Sequence, residues 1–314
     1  MSYSRQFNQR DDMFFQPSPA CPFCQGAGTS KFPLSYSETA EANASVPDAS
    51  GEILECGACG VYYPSLTYDQ KHFTDLYAKS LGDLMYFDDT LLQRIRRPAL
   101  AMLIKSQAKN VLSSALQIPA HTSGKLAGLS VLDVGSGFGE FSQAYQQLGA
   151  RVTATEVIQK LVDLNIQKGI DCRMGGLEDI DLPAASFDAI LFRAVMYRTP
   201  DPALTLRRAA ALLAPGGEIS VIDPCVDLEG ARYFAMKQFP QGRYYISDVG
   251  KYSVMLTERF GLAMVQFRQI YGRPAAPLKK VRFIGNLVGF GELVKNNLLK
   301  RAPYVGAYVL KKKP

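Results

Sequence analysis

The sequence predicts an α/β fold: an open sheet of parallel strands covered by helices, with a small cysteine-rich unit in front. Three observations carry this reading. From Leu129 onward, short apolar runs alternate with helical segments, the rhythm of a parallel sheet. A glycine-rich turn, Gly135-Ser136-Gly137-Phe138-Gly139, joins the first run to the first helix. Ahead of both stand two C-x-x-C pairs, Cys21/Cys24 and Cys56/Cys59.

The first unit spans residues 1–65. Two C-x-x-C pairs supply four thiolates for a tetrahedral Zn²⁺, and Gly57 permits a tight knuckle after Cys56. The 31 residues between the pairs are long for such a site. The stretch 35–51 is rich in Ser, Ala, Glu and Pro, however, and reads as a loop, whose closure cost grows slowly with length. A full four-cysteine set leaves no open position, so the metal is structural; four unligated thiols are the alternative. Residues 66–120 read as a helical connector or lid, with Leu91, Ile95, Leu100, Leu103 and Ile104 recurring at about one helical turn.

Residues 121–314 form the main domain. SVLDV (130–134), RVTATE (151–156), DCRMG (171–175), FDAILFR (187–193) and GEISVID (217–223) are its candidate parallel strands. The helix from Glu140 places Phe141, Ala144, Tyr145 and Leu148 on one face and stops at Gly149. A second starts with Asp201 as cap and Pro202 in the first turn and ends at Pro215-Gly216-Gly217. The final region offers MVQFRQIY (264–271) and GAYVLKK (306–312), with a segment at about 272–303 between them.

Composition narrows the function classes. With 47% hydrophobic and 20% charged residues the chain is far from the disordered regime. No apolar run is long enough for a membrane span, and the first twenty residues lack a signal-peptide core, so a cytoplasmic location is expected. The net charge of +6 suggests nucleic acid, but residues 279–314 alone hold nine basic residues against one acid, Glu292. The rest of the chain is therefore slightly acidic, which argues against a nucleic-acid partner.

Two acids flank the glycine turn. Asp133 lies on the first strand just before it, and Glu156 ends the second strand, where an acid can accept hydrogen bonds from both ribose hydroxyls. Dinucleotide loops end G-x-x-G, whereas this one ends G-x-G behind a carboxylate that would repel phosphate. The ligand this pattern suits is a cationic nucleoside.

Here the chain resembles the class I S-adenosylmethionine-dependent methyltransferases. VLDVGSGFGEF is similar to their first motif, TATE to their second, LEDIDLPAASFDAILF to the adenine-side loop and fourth strand, and LLAPGGEISVID to the helix and fifth strand. The resemblance implies a Rossmann-like sheet of five parallel strands continued by a C-terminal antiparallel hairpin of MVQFRQIY and GAYVLKK, with an insertion at about 272–303 between them and S-adenosyl-L-methionine at the carboxyl ends of the strands. It implies that Asp133 and Gly135 hold the methionine end and that Gly137 and Gly139 lie against the cofactor. Glu156 would hold the ribose, with Leu177 and Glu178 bordering the adenine. The ribbon, the segment CGVYYPS and the tyrosines Tyr77 and Tyr86 further resemble bacterial enzymes that methylate sugars.

Many such relatives place Glu-His after the fourth strand. This chain has Val195-Met196-Tyr197-Arg198 there, and its two histidines, His72 and His121, both precede the first strand of the main domain. Asp223, Tyr197 and Arg198 become the catalytic candidates, with Tyr244 and Tyr245 on a segment that faces substrate in relatives. Arg193, Arg198 and Arg243 could hold a carboxylate or phosphate on the acceptor, or make internal ion pairs. The leading expectation is O-methylation of a saccharide or similar small polar acceptor, nucleotide-linked or lipid-linked. An RNA methyltransferase docking through the ribbon and a non-catalytic cofactor-binding scaffold are the alternatives. The basic segment 278–300 reads as a lid over the acceptor, or as a peripheral membrane contact. The oligomeric state is left open.

Overall fold

A computed structural model describes residues 15–35, 50–69, 74–75, 126–227, 231, 242–269 and 305–313. The central sheet has seven strands: β6 (Ser130–Val134), β7 (Arg151–Glu156), β8 (Asp171–Met174), β9 (Phe187–Arg193), β10 (Leu213–Pro224), β12 (Leu262–Gln269) and β13 (Val305–Lys312). Their spatial order is β12-β13-β10-β9-β6-β7-β8. The five strands β6 to β10 pair in parallel, and β13 runs antiparallel to both β10 and β12. The expected parallel sheet with an antiparallel pair at one edge is therefore what the chain forms. Strand order reverses at β6, which lies between β7 and β9 and so opens a crevice at the carboxyl ends of these strands.

Helices α1 (Glu140–Gln147), α2 (Gln159–Gln167), α3 (Pro202–Leu212) and α4 (Val249–Phe260) accompany the sheet. Asp201 caps α3 by accepting from the Leu204 amide at 2.8 Å, as its sequence position predicts. The helix ends earlier than the glycine pair suggested. Leu213 already pairs with Phe187, and a register shift between Leu213 and Glu218 absorbs Pro215-Gly216-Gly217 as an irregularity inside β10. α4 ends in Gly261, whose left-handed φ of 64° turns the chain into β12.

The N-terminal unit is built from β1 (Phe15–Pro17), β2 (Thr29–Ser35), β3 (Ser50–Cys56), β4 (Val61–Pro64) and β5 (Leu66–Tyr68). Residues 66–68, expected to open the helical connector, are a strand instead, because β5 pairs antiparallel with β1 and extends the cysteine-rich unit. The helical pattern at Leu91–104, the tyrosines Tyr77 and Tyr86, and the segment 278–300 lie outside the described residues.

Several elements have no counterpart in the sequence reading, among them the ribbon strands, α4 and one short strand that joins the two units. β11 (Tyr245–Ile246), from the main domain, pairs antiparallel with β4, giving a sheet of order β11-β4-β3-β2. A single apolar cluster runs from Phe15, Cys21 and Tyr63 of the ribbon to Ile190, Leu206 and Tyr308 of the main domain. Ribbon and sheet share one core.

Candidate active site

A cleft of about 230 Å³ opens at the carboxyl ends of β6, β7, β8 and β9. The glycine turn forms one wall. Gly135 has φ of 66°, and a Cβ there would meet Val195 Cγ2 at 2.6 Å, so only glycine fits this corner. The turn is held from behind by α2: Asn165 Nδ2 donates to the Gly137 carbonyl at 2.7 Å and Lys168 Nζ to the Phe138 carbonyl at 2.6 Å. These two residues were missed from sequence. The signal was present in Asn165, a polar residue one turn from Leu161 on an otherwise apolar helix face, buried in the structure.

Glu156 lines the cleft at the end of β7. One carboxylate oxygen accepts from the Gly137 amide at 2.9 Å, the other from Val157 at 2.8 Å and Ile158 at 3.1 Å. Burial pushes its carboxyl up, against the pull of these three amides. Leu177 and Glu178 line the opposite side, and Thr205 donates to Glu178. Gly135, Glu156, Leu177, Glu178 and Arg198 thus meet around one cavity.

Asp133, Gly137, Gly139, Tyr197 and Asp223 lie outside that lining. Asp133 is fully buried, and its carboxylate is committed: Arg193 Nη2 lies 2.9 Å from both oxygens and Ser142 Oγ donates at 2.6 Å. Gly139 precedes α1 with φ of 78°, its Cα against Asn165. Tyr197 is buried in the short helical turn Met196–Arg198, and its hydroxyl accepts from Arg198 Nε at 2.8 Å.

Asp223 ends β10 one strand away from the cleft wall, where Ala194 and Val195 follow β9; the Ala194 amide donates to the carbonyl of Ile222, its neighbour. It is fully buried. Its Oδ2 accepts from Tyr244 at 2.5 Å and from Tyr308 at 3.3 Å, while Oδ1 has no hydrogen-bond partner. Burial pushes the carboxyl up to about 7, against the opposing effect of Tyr244 and weaker ones from Tyr197, Tyr308 and Arg198. Tyr244 and Tyr245, expected to face substrate, are instead buried among these groups and against the ribbon. Arg243 bridges the two units, donating to Thr67 by its side chain and to the Tyr197 carbonyl by its amide at 2.7 Å.

The four cysteines converge. Their sulfurs lie within 4.8 Å of one another, with Cys24 and Cys56 3.6 Å apart. The amides of Gly26 and Cys59 point at Cys24 and Cys56, each at 3.4 Å. The Cys59 thiol holds Cys21 down to about 5, and in return Cys21 pushes Cys59 up; burial pushes Cys56 up. Four crowded sulfurs that resist ionising together are a donor set for a soft tetrahedral cation, and Zn²⁺ fits it.

A glycine turn from strand to helix, an acid ending the next strand and a cleft at the reversal of strand order define an α/β protein of the kind whose cleft suits a nucleoside. The chain belongs to the methyltransferase-domain family, whose model matches residues 92–266. It is 34% identical over 136 residues to the ubiquinone biosynthesis O-methyltransferase of Xanthomonas axonopodis pv. citri, covering 39% of this chain and 56% of that one. The Xanthomonas campestris pv. campestris protein of the same name is also 34% identical, over 137 residues. The chain thus spans little more than half the length of the curated relatives it matches. Among solved structures it is similar to the Burkholderia thailandensis 1,6-didemethyltoxoflavin-N1-methyltransferase, with a TM-score of 0.48 and 14% identity over 87% of this chain and 98% of that one. The described residues contain no helix long and apolar enough to cross a membrane.

Proposed function

We propose that this chain is an S-adenosylmethionine-dependent methyltransferase that methylates a hydroxyl of a small polar acceptor, of which a saccharide is the best fit. The observation that carries the reading is the cleft at the reversal of strand order, where Gly135, Glu156, Leu177 and Glu178 meet around a space that suits a nucleoside; the candidate base is Asp223, buried one strand away. An unactivated hydroxyl needs a base, and a carboxyl held near 7 is poised to take a proton at neutral pH. Glu156 would receive the ribose hydroxyls through its remaining lone pairs, with Leu177 and Glu178 beside the adenine and Gly135 letting the ligand approach the backbone. When bound, the cofactor supplies an electrophilic methyl group on a sulfonium. The protein's part is to hold donor and hydroxyl in line, which supplies most of the acceleration. Arg198, on the cleft wall, would orient an anionic group such as the diphosphate of a nucleotide-linked sugar, and Tyr197 holds its guanidinium in place.

The relatives named for O-methylation in ubiquinone biosynthesis support oxygen as the atom methylated and favour a second reading, a phenolic acceptor. A phenol ionises more readily than a sugar hydroxyl and depends less on Asp223. Mass spectrometry of acceptor panels incubated with enzyme and isotope-labelled cofactor separates the cases. Labelled product from nucleotide-linked sugars, lost in Asp223→Asn, supports the first reading. Product from catechols that survives the substitution supports the second. Transfer to RNA alone, falling steeply with salt, sinks both.

A further inference from the structure

We propose that Arg193 is the residue that binds the carboxylate at the amino-acid end of the cofactor, and that Asp133 acts as its positioning residue rather than touching the cofactor itself. The proposal rests on reading the cleft as the S-adenosylmethionine site. Sequence alone gives Asp133 the contact, as the acid in front of the glycine turn. The folded chain spends that charge internally. Asp133 is fully buried, Arg193 Nη2 sits 2.9 Å from each of its oxygens, and Ser142 fills a further lone pair at 2.6 Å.

What the cleft presents at this corner is the partner. Arg193 ends β9 and lines the cavity beside Gly135 and Val195, with its side chain 13% exposed. Its guanidinium lies over the Phe141 ring at 3.5 Å from the centroid, and Nη1 reaches the Tyr145 hydroxyl at 3.5 Å. Two neighbouring elements therefore fix the group: β6 through Asp133, and α1 through Phe141 and Tyr145. An arginine has five donors on three nitrogens in a rigid fork, and the pair with Asp133 uses one of those nitrogens, Nη2.

Charge then selects the ligand atom. The amino-acid end of the cofactor offers one carboxylate and one ammonium, with the sulfonium close by. Asp133 offsets much of the guanidinium's charge, but the N–H groups that the pair leaves over are donors only, so they suit the carboxylate and offer nothing to the ammonium or the sulfonium. Glu156 stands in the same cleft at the end of β7, with β6 between it and the strand of Arg193. An acid for the ribose hydroxyls and a cation for the carboxylate would thus address the two ends of the non-adenine part, in an order that fixes which way the sulfur points.

Calorimetric titration of the full chain with two ligands tests this. S-adenosylhomocysteine carries the amino-acid end; 5′-methylthioadenosine has the same nucleoside and a thioether but no carboxylate. Arg193→Met should weaken S-adenosylhomocysteine by about 10- to 100-fold, the worth of a charge-assisted hydrogen bond, and leave methylthioadenosine within about twofold. Arg193→Lys should recover part of the loss. Should Arg193→Met fold poorly because it leaves Asp133 buried and unpaired, the double variant Asp133→Asn/Arg193→Met removes both charges and should show the same selective loss. Equal weakening of both ligands, or none of either, overturns the proposal and leaves Arg193 a structural partner. Wild-type protein that binds neither ligand overturns the cofactor reading itself, and this assignment with it.

Discussion

At the scale of single residues, Asp223 makes opposite demands on activity and stability. Its carboxyl titrates near 7 in the folded chain against an ordinary 3.8, because burial disfavours the charge. A folded value above the unfolded one means that protonation favours folding, so this stabilisation is complete below about pH 4 and is lost as pH rises through about 7. Asp223→Asn keeps the Tyr244 and Tyr308 hydroxyls partnered without the charge. Its melting temperature relative to wild type should rise between pH 5 and pH 8, a swing on the order of a few kcal/mol. If Asp223 is the base, kcat/KM of the wild type should climb to a plateau above about pH 7, and the variant should lose about 10²- to 10⁴-fold. A variant that is less stable at pH 8 than at pH 5, relative to wild type, would show that the carboxyl is not held protonated by burial.

Elements show where sequence is a good guide and where it stops. The glycine turn was legible because its cause is local: Gly135 needs a positive φ and faces Val195 at a distance no Cβ tolerates. Gly135→Ala should therefore weaken S-adenosylhomocysteine at least tenfold and lower the melting temperature, and Val195→Ala in the same chain should restore only the packing share of that loss. The Asp201 cap was legible for the same reason. The pair of Asp133 with Arg193 was not, since the two stand 60 residues apart and meet only because β6 and β9 are neighbours in the sheet. Nor was the two-residue β11, whose partner lies in the ribbon. The cysteine pairs were legible by spacing, yet the knuckle between the first two carries more than ligands. Phe23 packs edge-on against Tyr244 at 4.8 Å and Tyr252 at 5.6 Å, and Tyr244 in turn holds Asp223. Phe23→Ala should cost about 3–5 kcal/mol, read as a fall in denaturant midpoint. It should also lower kcat, while the affinity for methylthioadenosine, set across the sheet in the cleft, changes little.

Across the whole molecule the ribbon and the sheet are one folding unit. The β4–β11 ladder places Tyr62 opposite Tyr245, and the Gly60 carbonyl accepts from the amides of Ser247 and Asp248 at 2.9 and 3.1 Å. Phe23, Ile53, Val61 and Tyr63 lie in the same apolar cluster as the face of β10 and β13. A chain beginning at residue 70 would leave β11 unpaired and expose Tyr244, Tyr245 and Tyr252, three of the largest fully buried side chains. That truncated chain should fail to fold cooperatively. Calorimetry of the full chain should show one transition, since among the described residues ribbon and sheet share one apolar cluster. Elemental analysis should find one zinc per chain, bound by Cys21, Cys24, Cys56 and Cys59. Stripping it with a chelator in mild denaturant, or substituting Cys56→Ser, should lower that single transition as a whole, because a metal bound only to the folded state stabilises everything that folds with it. Two separate transitions, with only the first sensitive to chelator, would instead make the ribbon an independent appendage.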